Sequence, residues 1–109
     1  MPDWEGVITG ELTNSSIPNR TNIETVSIGD SVTSIGDSAF YWCSDLKGVS
    51  IPDGVTSIGY EAFYNCTNLT SVTIPNSVTI IVNNAFMGCS RLTSITIGNG
   101  ISEIGERVF

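Results

Sequence analysis

Three cysteines carry the most reactive side chains of this 109-residue sequence, and their spacing is regular. Cys43, Cys66 and Cys89 follow one another at one constant interval. A zinc site needs ligands that converge, commonly as close Cys-x-x-Cys pairs, and the sequence has no histidine to complete such a set. We therefore interpret the thiols as small apolar groups in one buried column, and we expect neither a metal nor another cofactor.

Acid–base and nucleophilic chemistry is poorly supported by the residue types present. Without histidine, a Ser-His or Cys-His pair cannot form. A carboxylate pair is formally available, because Asp30 and Asp53 are separated by the same interval as the cysteines. Both fall in turn sequences, where Asp is favoured for its side-chain hydrogen bonds to the backbone. We therefore predict solvated turn residues rather than an acid–base pair, and a protein that is not an enzyme.

The same interval extends to apolar positions and predicts a repeat architecture. Repeats can be aligned from Ile23, Leu46, Leu69 and Leu92. We call the residues at one position of successive repeats a column. Two further columns are Ala39, Ala62 and Ala85, and Phe40, Phe63, Phe86 and Phe109. A repeat of this length cannot bury its apolar edge alone, so neighbouring repeats must stack into a solenoid.

The first half of each repeat has the pattern of a strand with one buried side. In the third repeat, Leu69, Val72 and Ile74 are spaced to point inward. Ser71 and Thr73 alternate with them and should point outward. Strands of successive repeats should then pair in parallel at about 4.8 Å. We expect the rings of Phe40, Phe63 and Phe86 to stack. We also expect burial of the inward strand residues Val26, Ile28, Val49, Ile51, Val72, Ile74, Ile95 and Ile97.

The second half of the repeat predicts a shorter strand and a helical turn. Val78 and Ile81 suit a second extended segment. Ala85, Phe86 and Cys89 have the i, i+1, i+4 spacing of one helical turn. The expected fold is a repeat solenoid with a parallel β-sheet, short second strands and single-turn helices on the opposite side.

Two nearly identical runs resemble the BspA-like leucine-rich repeats. They read V-T-S-I-G-D-S-A-F from Val32 to Phe40 and V-T-S-I-G-Y-E-A-F from Val55 to Phe63. The resemblance covers residues 23–109, as three full repeats and a partial fourth. It implies a right-handed solenoid, adhesion or protein binding at the cell surface or after secretion, and no shared enzymatic site.

Residues 1–22 depart from the period. Leu12 to Asn19 echoes Leu69 to Asn76, but the step from Leu12 to Ile23 is too short for a whole repeat. We interpret residues 1–22 as a degenerate cap whose apolar residues cover the first coil. Those residues are Val7, Ile8, Leu12 and Ile17.

Charge and hydropathy exclude two classes of partner. Eleven acidic and four basic residues give a net charge of −7, which repels phosphate backbones and argues against nucleic acid. No stretch approaches the roughly 20 apolar residues of a membrane span, so no membrane insertion is expected.

The start lacks the basic and apolar regions of a signal peptide. Either the protein is cytoplasmic, or this chain is an excerpt from a longer secreted protein, as the resemblance implies.

Small hydroxyl residues on the outer side of the main strands form a candidate binding face. Repeat solenoids usually bind protein partners on the strip that these strands line. Two alternatives remain open: the residues merely suit a curved sheet, or they order water as in ice-binding solenoids. The candidate face comprises Thr25, Ser27, Lys47, Ser50, Ser71, Thr73, Ser94 and Thr96.

Two apolar residues interrupt polar columns and predict an exposed apolar patch. Ile80 stands where other repeats have Ser34, Ser57 and Glu103, and Val82 where they have Gly36, Gly59 and Gly105. Such a patch is a candidate contact surface.

Trp42 shares its column with Asn65 and Gly88, which suggests exposure. We consider two roles for it, an interface anchor or packing onto the N-terminal cap, where Trp4 is a candidate neighbour.

The last repeat predicts an edge for assembly, because it stops before the position that the cysteines occupy in the others. If the natural protein continues past Phe109, further repeats cover this coil. If it ends there, a second copy must cover it, as an end-to-end dimer or a head-to-tail filament. The alternative function is therefore a self-assembling structural subunit. The candidate edge comprises Leu92, Ile95, Ile97, Ile101, Ile104 and Phe109.

Overall fold

A computed structural model describes residues 3–5, 10–12 and 23–109 of the chain, with side chains from residue 23 onward. The described residues form ten short strands, and every pairing between them is parallel. The strands are β1 Asp3–Glu5, β2 Gly10–Leu12, β3 Thr25–Ser27, β4 Val32–Ile35, β5 Gly48–Ser50, β6 Ser57–Ile58, β7 Ser71–Ile74, β8 Ile80–Ile81, β9 Ser94–Ile97 and β10 Glu103–Ile104.

Alternate strands lie on two sides of the solenoid. The odd-numbered strands form the side that we call the main face, in two groups, β1-β3-β5 and β7-β9. A backbone hydrogen bond from Thr70 N to Lys47 O, 3.4 Å long, joins the two groups. The even-numbered strands form one continuous five-stranded second sheet, β2-β4-β6-β8-β10. Ile35 pairs with Ile58, and Ile58 with Ile81, so the repeat period sets the register and the predicted parallel solenoid is confirmed.

The predicted single-turn helices are not confirmed, because the described residues contain turns where those helices were expected. Backbone conformation explains the difference. Two columns in the turns have positive φ, which breaks a helical hydrogen-bond ladder. The backbone groups bond instead to the next coil, as from Phe40 N to Ala62 O at 2.7 Å. The positive-φ columns are Ser38, Glu61, Asn84 and Arg107, and Trp42, Asn65 and Gly88.

The core of buried apolar side chains includes a column of stacked phenylalanine rings. The ring centroids of Phe40 and Phe63 are 4.8 Å apart, and those of Phe63 and Phe86 are 4.9 Å apart, with nearly parallel planes. This confirms the predicted stack. Phe109 extends it, 5.6 Å from Phe86.

Burial of the inward strand residues follows the prediction in the middle of the solenoid and departs from it at the last coil. Val72 and Ile74 are buried, whereas Ile95 is only partly buried and Ile97 is 40% exposed. Strand β9 lies at the edge of its group, so its inward side chains have a neighbouring coil on one side only. The prediction was therefore wrong for Ile97. Val49 in β5 is also only partly buried.

The N-terminal strands join both sides of the solenoid. Asp3 pairs with Thr25 on the main face, and Leu12 pairs with Ile35 in the second sheet. Leu12 and Leu69 therefore occupy different places in the solenoid, because Leu69 precedes a main-face strand. The side chains of Val7, Ile8, Leu12 and Ile17 lie outside the described residues, and the cap remains a prediction.

A repeated hydrogen bond explains the glycine column that Val82 interrupts. The Asp37 carboxylate accepts the N–H of Tyr60 at 2.9 Å. A Cβ on Gly59 would lie only 2.6 Å from that carboxylate oxygen, so this approach requires glycine. The same arrangement recurs one coil after Val82, where Asn83 accepts the N–H of Glu106 beside Gly105. In the coil that precedes Val82, the position of Asp37 and Asn83 is occupied by Tyr60, whose side chain has no carboxylate or amide oxygen to accept this hydrogen bond. Position 82 can therefore carry a side chain.

Replacing Gly59 and Asp37, singly and together, tests this explanation of the glycine column. Gly59→Val should lower the free energy of unfolding by about 1–3 kcal/mol, because the new side chain meets the Asp37 carboxylate and the backbone of Gly36 and Asp37. Adding Asp37→Tyr removes the carboxylate, as in the arrangement of Tyr60 and Val82, and should recover part of that loss. Urea unfolding of the two single variants and the double variant measures the coupling. Purely additive effects would contradict the explanation.

Candidate functional site

The register of the main face aligns the predicted hydroxyl residues in two outward columns. Thr25 and Ser27 in β3 pair with Gly48 and Ser50 in β5, and β7 and β9 pair in the same way. Every hydroxyl residue of the candidate face is exposed. One column contains Thr25, Ser71 and Ser94, and the other Ser27, Ser50, Thr73 and Thr96.

Lys47 lies outside these two columns, one residue before β5. Its ammonium group is 3.4 Å from a carboxylate oxygen of Glu24, and both side chains are well exposed. An exposed ion pair of this kind contributes little to stability. Lys47 therefore flanks the hydroxyl columns and remains accessible to a partner.

Hydroxyl groups beside the second sheet are used differently from those on the main face. Thr56 and Thr79 each donate to a backbone carbonyl of the preceding coil, at 3.1 and 3.2 Å. Across the described chain, Ser71, Thr73 and Thr96 form no side-chain hydrogen bond. Ser71, Thr73 and Thr96 therefore leave their hydroxyl groups available to a partner, whereas Thr56 and Thr79 help to hold neighbouring coils together.

The cysteine thiols donate hydrogen bonds within the core. Cys66 Sγ donates to Phe40 O and Cys89 Sγ to Phe63 O, each at 3.2 Å. The neighbouring Cys89 thiol and burial both raise the pKa of Cys66 above the usual thiol range. Cys43 and Cys66 are buried, but Cys89 is only partly buried, so the expected burial was wrong for that thiol.

Cys89 is accessible because it borders an open cavity of about 300 Å³ at the last coil. The cavity lies where the stack of rings and thiols has no further coil among the described residues. Its walls are Phe86, Gly88, Cys89, Ser90, Leu92 and Phe109.

The described part of the chain was expected to lack a metal site and an acid–base pair. It contains no group of three or more His, Cys, Asp or Glu side chains that could hold a metal ion. Asp30 and Asp53 lie in turns and are exposed. Among the residues that the structure describes, no helix is long and apolar enough to cross a membrane.

The apolar patch is smaller than the sequence suggested. Ile80 is 37% exposed, between Ser57 and Glu103 on the neighbouring strands. Val82 is only partly exposed. The patch therefore consists of one exposed isoleucine and part of a valine.

The candidate edge divides into exposed and covered members. Ile97, Ile104 and Phe109 are 40%, 49% and 57% exposed. The others, which are Leu92, Ile95 and Ile101, pack against the core and are partly buried.

Sequence reasoning underestimated a group of aromatic side chains on the turn side, which we call the aromatic cluster: Tyr41, Trp42 and Tyr64. The Tyr41 and Tyr64 rings stack with centroids 5.1 Å apart. Trp42 meets both edge-on, at 6.3 and 6.5 Å, and is 48% exposed. Its exposure agrees with the sequence interpretation. The alternative of packing onto Trp4 involves a side chain outside the described residues.

The geometry defines a parallel β-solenoid with a solvent-facing hydroxyl surface. Residues 11–109 match the family described as "BspA type Leucine rich repeat region (6 copies)". The chain therefore belongs to the BspA-type leucine-rich repeat family. Proteins of this family and fold are typically protein-interaction modules and are generally non-enzymatic.

Solved structures agree with this assignment. The chain is similar to a leucine-rich repeat protein from Bacteroides ovatus, with 29% identity, a TM-score of 0.75, and coverage of 90% of this chain and 27% of that one. A leucine-rich cell surface protein from Faecalibacterium prausnitzii is 24% identical, with a TM-score of 0.57 and coverage of 94% and 40%. The chain thus spans less than half of either protein. No curated protein matches the chain.

Proposed function

We propose that the chain is a non-enzymatic interaction or adhesion module that binds a protein partner through the hydroxyl columns of its main face. The observation that carries this proposal is the exposure of the hydroxyl residues in both groups of main-face strands, which are aligned in register within each group. Hydroxyl groups can both donate and accept hydrogen bonds, so exposed ones suit a polar protein surface. The cell-surface description of the Faecalibacterium prausnitzii protein supports placement at the cell surface or in secreted form.

Site-specific photo-crosslinking tests this proposal even while the partner is unidentified. A photoreactive residue replaces Thr73 on the main face, and in a matched control it replaces Thr79 beside the second sheet; both positions are exposed. In cells that produce the protein, we expect discrete protein adducts from position 73 and not from position 79. Adducts that form equally at both positions, or only at position 79, would refute the assignment of the face.

Self-association at the candidate edge is a second candidate function, supported by the exposure of Ile97, Ile104 and Phe109 beside the open cavity. Strands β9 and β10 also lie at the ends of their sheets, where unpaired backbone groups can accept another strand. A second copy of the chain would cover both the apolar side chains and these groups.

Charge insertion at the edge tests self-association. If it occurs, Ile104→Lys should shift the chain to monomer in sedimentation equilibrium over a wide concentration range. Ile104 is 49% exposed, so its replacement should disturb the core little. Thr79→Lys is the control, because Thr79 is exposed beside the same sheet and lies outside the candidate edge, and the association of this variant should stay unchanged. A wild-type chain that is monomeric at every concentration would contradict this function.

A further inference from the structure

The aromatic cluster holds its tryptophan in a conformation that costs free energy. Trp42 has a φ of 59°, in the left-handed region. At the equivalent positions, Asn65 and Gly88 have residue types that adopt this region readily. For tryptophan, whose Cβ crowds the backbone in this region, the conformation is unfavourable. The edge-on contacts with Tyr41 and Tyr64 recover part of this cost, but Asn or Gly would avoid it altogether.

Trp42 is far more exposed to solvent than a core residue of the same turn. Nearly half of the side chain is accessible, whereas Phe40, two residues earlier, is fully buried. A strained backbone that presents a large aromatic ring to solvent is typical of a binding site rather than of packing.

The charge around the aromatic cluster indicates the chemistry of its ligand. The two turn segments that carry the cluster, residues 37–46 and 60–69, contain Asp37, Asp45 and Glu61 and no Lys or Arg. The nearest following cation, Lys47, has its ammonium group 3.4 Å from a carboxylate oxygen of Glu24, so the two charges of this exposed pair largely offset each other. Carboxylates and the faces of aromatic rings both attract cations, and tryptophan does so most strongly. This combination favours a cationic group over a neutral or anionic one.

We propose that the aromatic cluster is a second binding surface, which takes an arginine- or lysine-bearing segment of a partner protein with the cation on the ring of Trp42. Carboxylates of the same turn segments supply longer-range attraction. This surface lies on the turn side, so it is distinct from the hydroxyl columns of the main face.

A short peptide of alternating arginine and glycine is the probe, titrated at about 0.15 M salt so that general attraction to the chain's net charge is screened. Binding is followed by the Trp42 indole N–H resonance and by calorimetry. The comparison peptide carries citrulline, a neutral isostere, in place of each arginine. We expect the arginine peptide to bind about fivefold or more tightly than the citrulline peptide.

Two variants separate binding from folding. Trp42→Asn keeps the net charge and installs the residue type of position 65; it should weaken arginine-peptide binding by about fivefold while leaving the unfolding midpoint unchanged or higher. Trp42→Leu keeps apolar bulk without an aromatic ring and should weaken binding equally, which preserves the test if Trp42→Asn folds poorly. Thr73→Lys on the main face should change the affinity for the arginine peptide by less than about twofold. The aromatic cluster is therefore tested independently of the proposed main-face function.

Three results would overturn the proposal. The first is unchanged arginine-peptide affinity in Trp42→Leu. The second is equal binding of the citrulline peptide. The third is a larger shift of the Trp42 resonance with a neutral oligosaccharide such as cellohexaose than with the arginine peptide, which would identify a sugar platform instead.

Discussion

Replacing Phe63 with Ala should lower the free energy of unfolding by about 3–5 kcal/mol. Phe63 is fully buried, and its ring stacks on Phe40 on one side and on Phe86 on the other. Removal of the ring leaves a cavity between two rigid neighbours that the register of the coils holds apart, so the coils cannot readily close around it. Chemical denaturation with urea measures the change.

Phe109→Ala is the matched control for the stack. Phe109 meets one ring only and is 57% exposed, so its truncation should cost no more than about 1–2 kcal/mol. Equal losses for Phe63 and Phe109 would show that the phenylalanine column does not carry the stability that we assign to it.

The three thiols should differ greatly in their reactivity toward a bulky thiol reagent. Variants that retain a single cysteine allow each thiol to be measured separately. At pH 8 in the native state, the thiol at Cys89 should react at least ~100-fold faster than that at Cys66. Cys89 borders the open cavity, whereas Cys66 is buried, and burial raises the pKa of its thiol also in a variant that lacks the other cysteines. Rapid native labelling of Cys66 would contradict the buried column.

The raised pKa of Cys66 also predicts a pH dependence of stability. In the folded chain Cys66 stays protonated, while thiols of the unfolded chain ionise above about pH 8.5. Above that pH the unfolded chain binds fewer protons than the folded one, so the free energy of unfolding should fall as pH rises. A Cys66→Ala variant should lose this contribution to the pH dependence.

The sequence predicted side-chain positions correctly wherever packing between coils restricts the residue type of a column. Phe40, Phe63 and Phe86 fill one position because each ring must match the rings above and below it, so the period alone predicts the stack. Inward and outward strand residues, such as Val72 and Thr73, follow from alternation in the same way.

Backbone conformation was less accessible to sequence reasoning. The i, i+4 spacing of Ala85 and Cys89 suggests a helical turn, but Asn84 and Gly88 adopt positive φ and direct the chain into an irregular turn. Asn65 and Gly88, in the column of Trp42, could have indicated this conformation from the sequence. Both residue types favour a left-handed backbone, so their occurrence indicates positive φ as much as exposure.

Contacts between coils explain the remaining differences. Val82 replaces a glycine because of the residue type at position 60 in the preceding coil, which is invisible when each column is considered alone. Cys89 and Ile97 have inward positions but incomplete burial, because burial in a solenoid depends on a neighbour at each side.

The most direct test of the main-face account is the affinity for the partner that is captured at position 73. Thr73→Lys and Thr79→Lys introduce the same charge at exposed positions on opposite sides of the solenoid. We predict that Thr73→Lys raises the Kd at least about tenfold, as expected for a charge forced into a contact surface, whereas Thr79→Lys changes it less than about twofold. Equal effects of the two variants, or a larger effect of Thr79→Lys, would contradict binding through the hydroxyl columns.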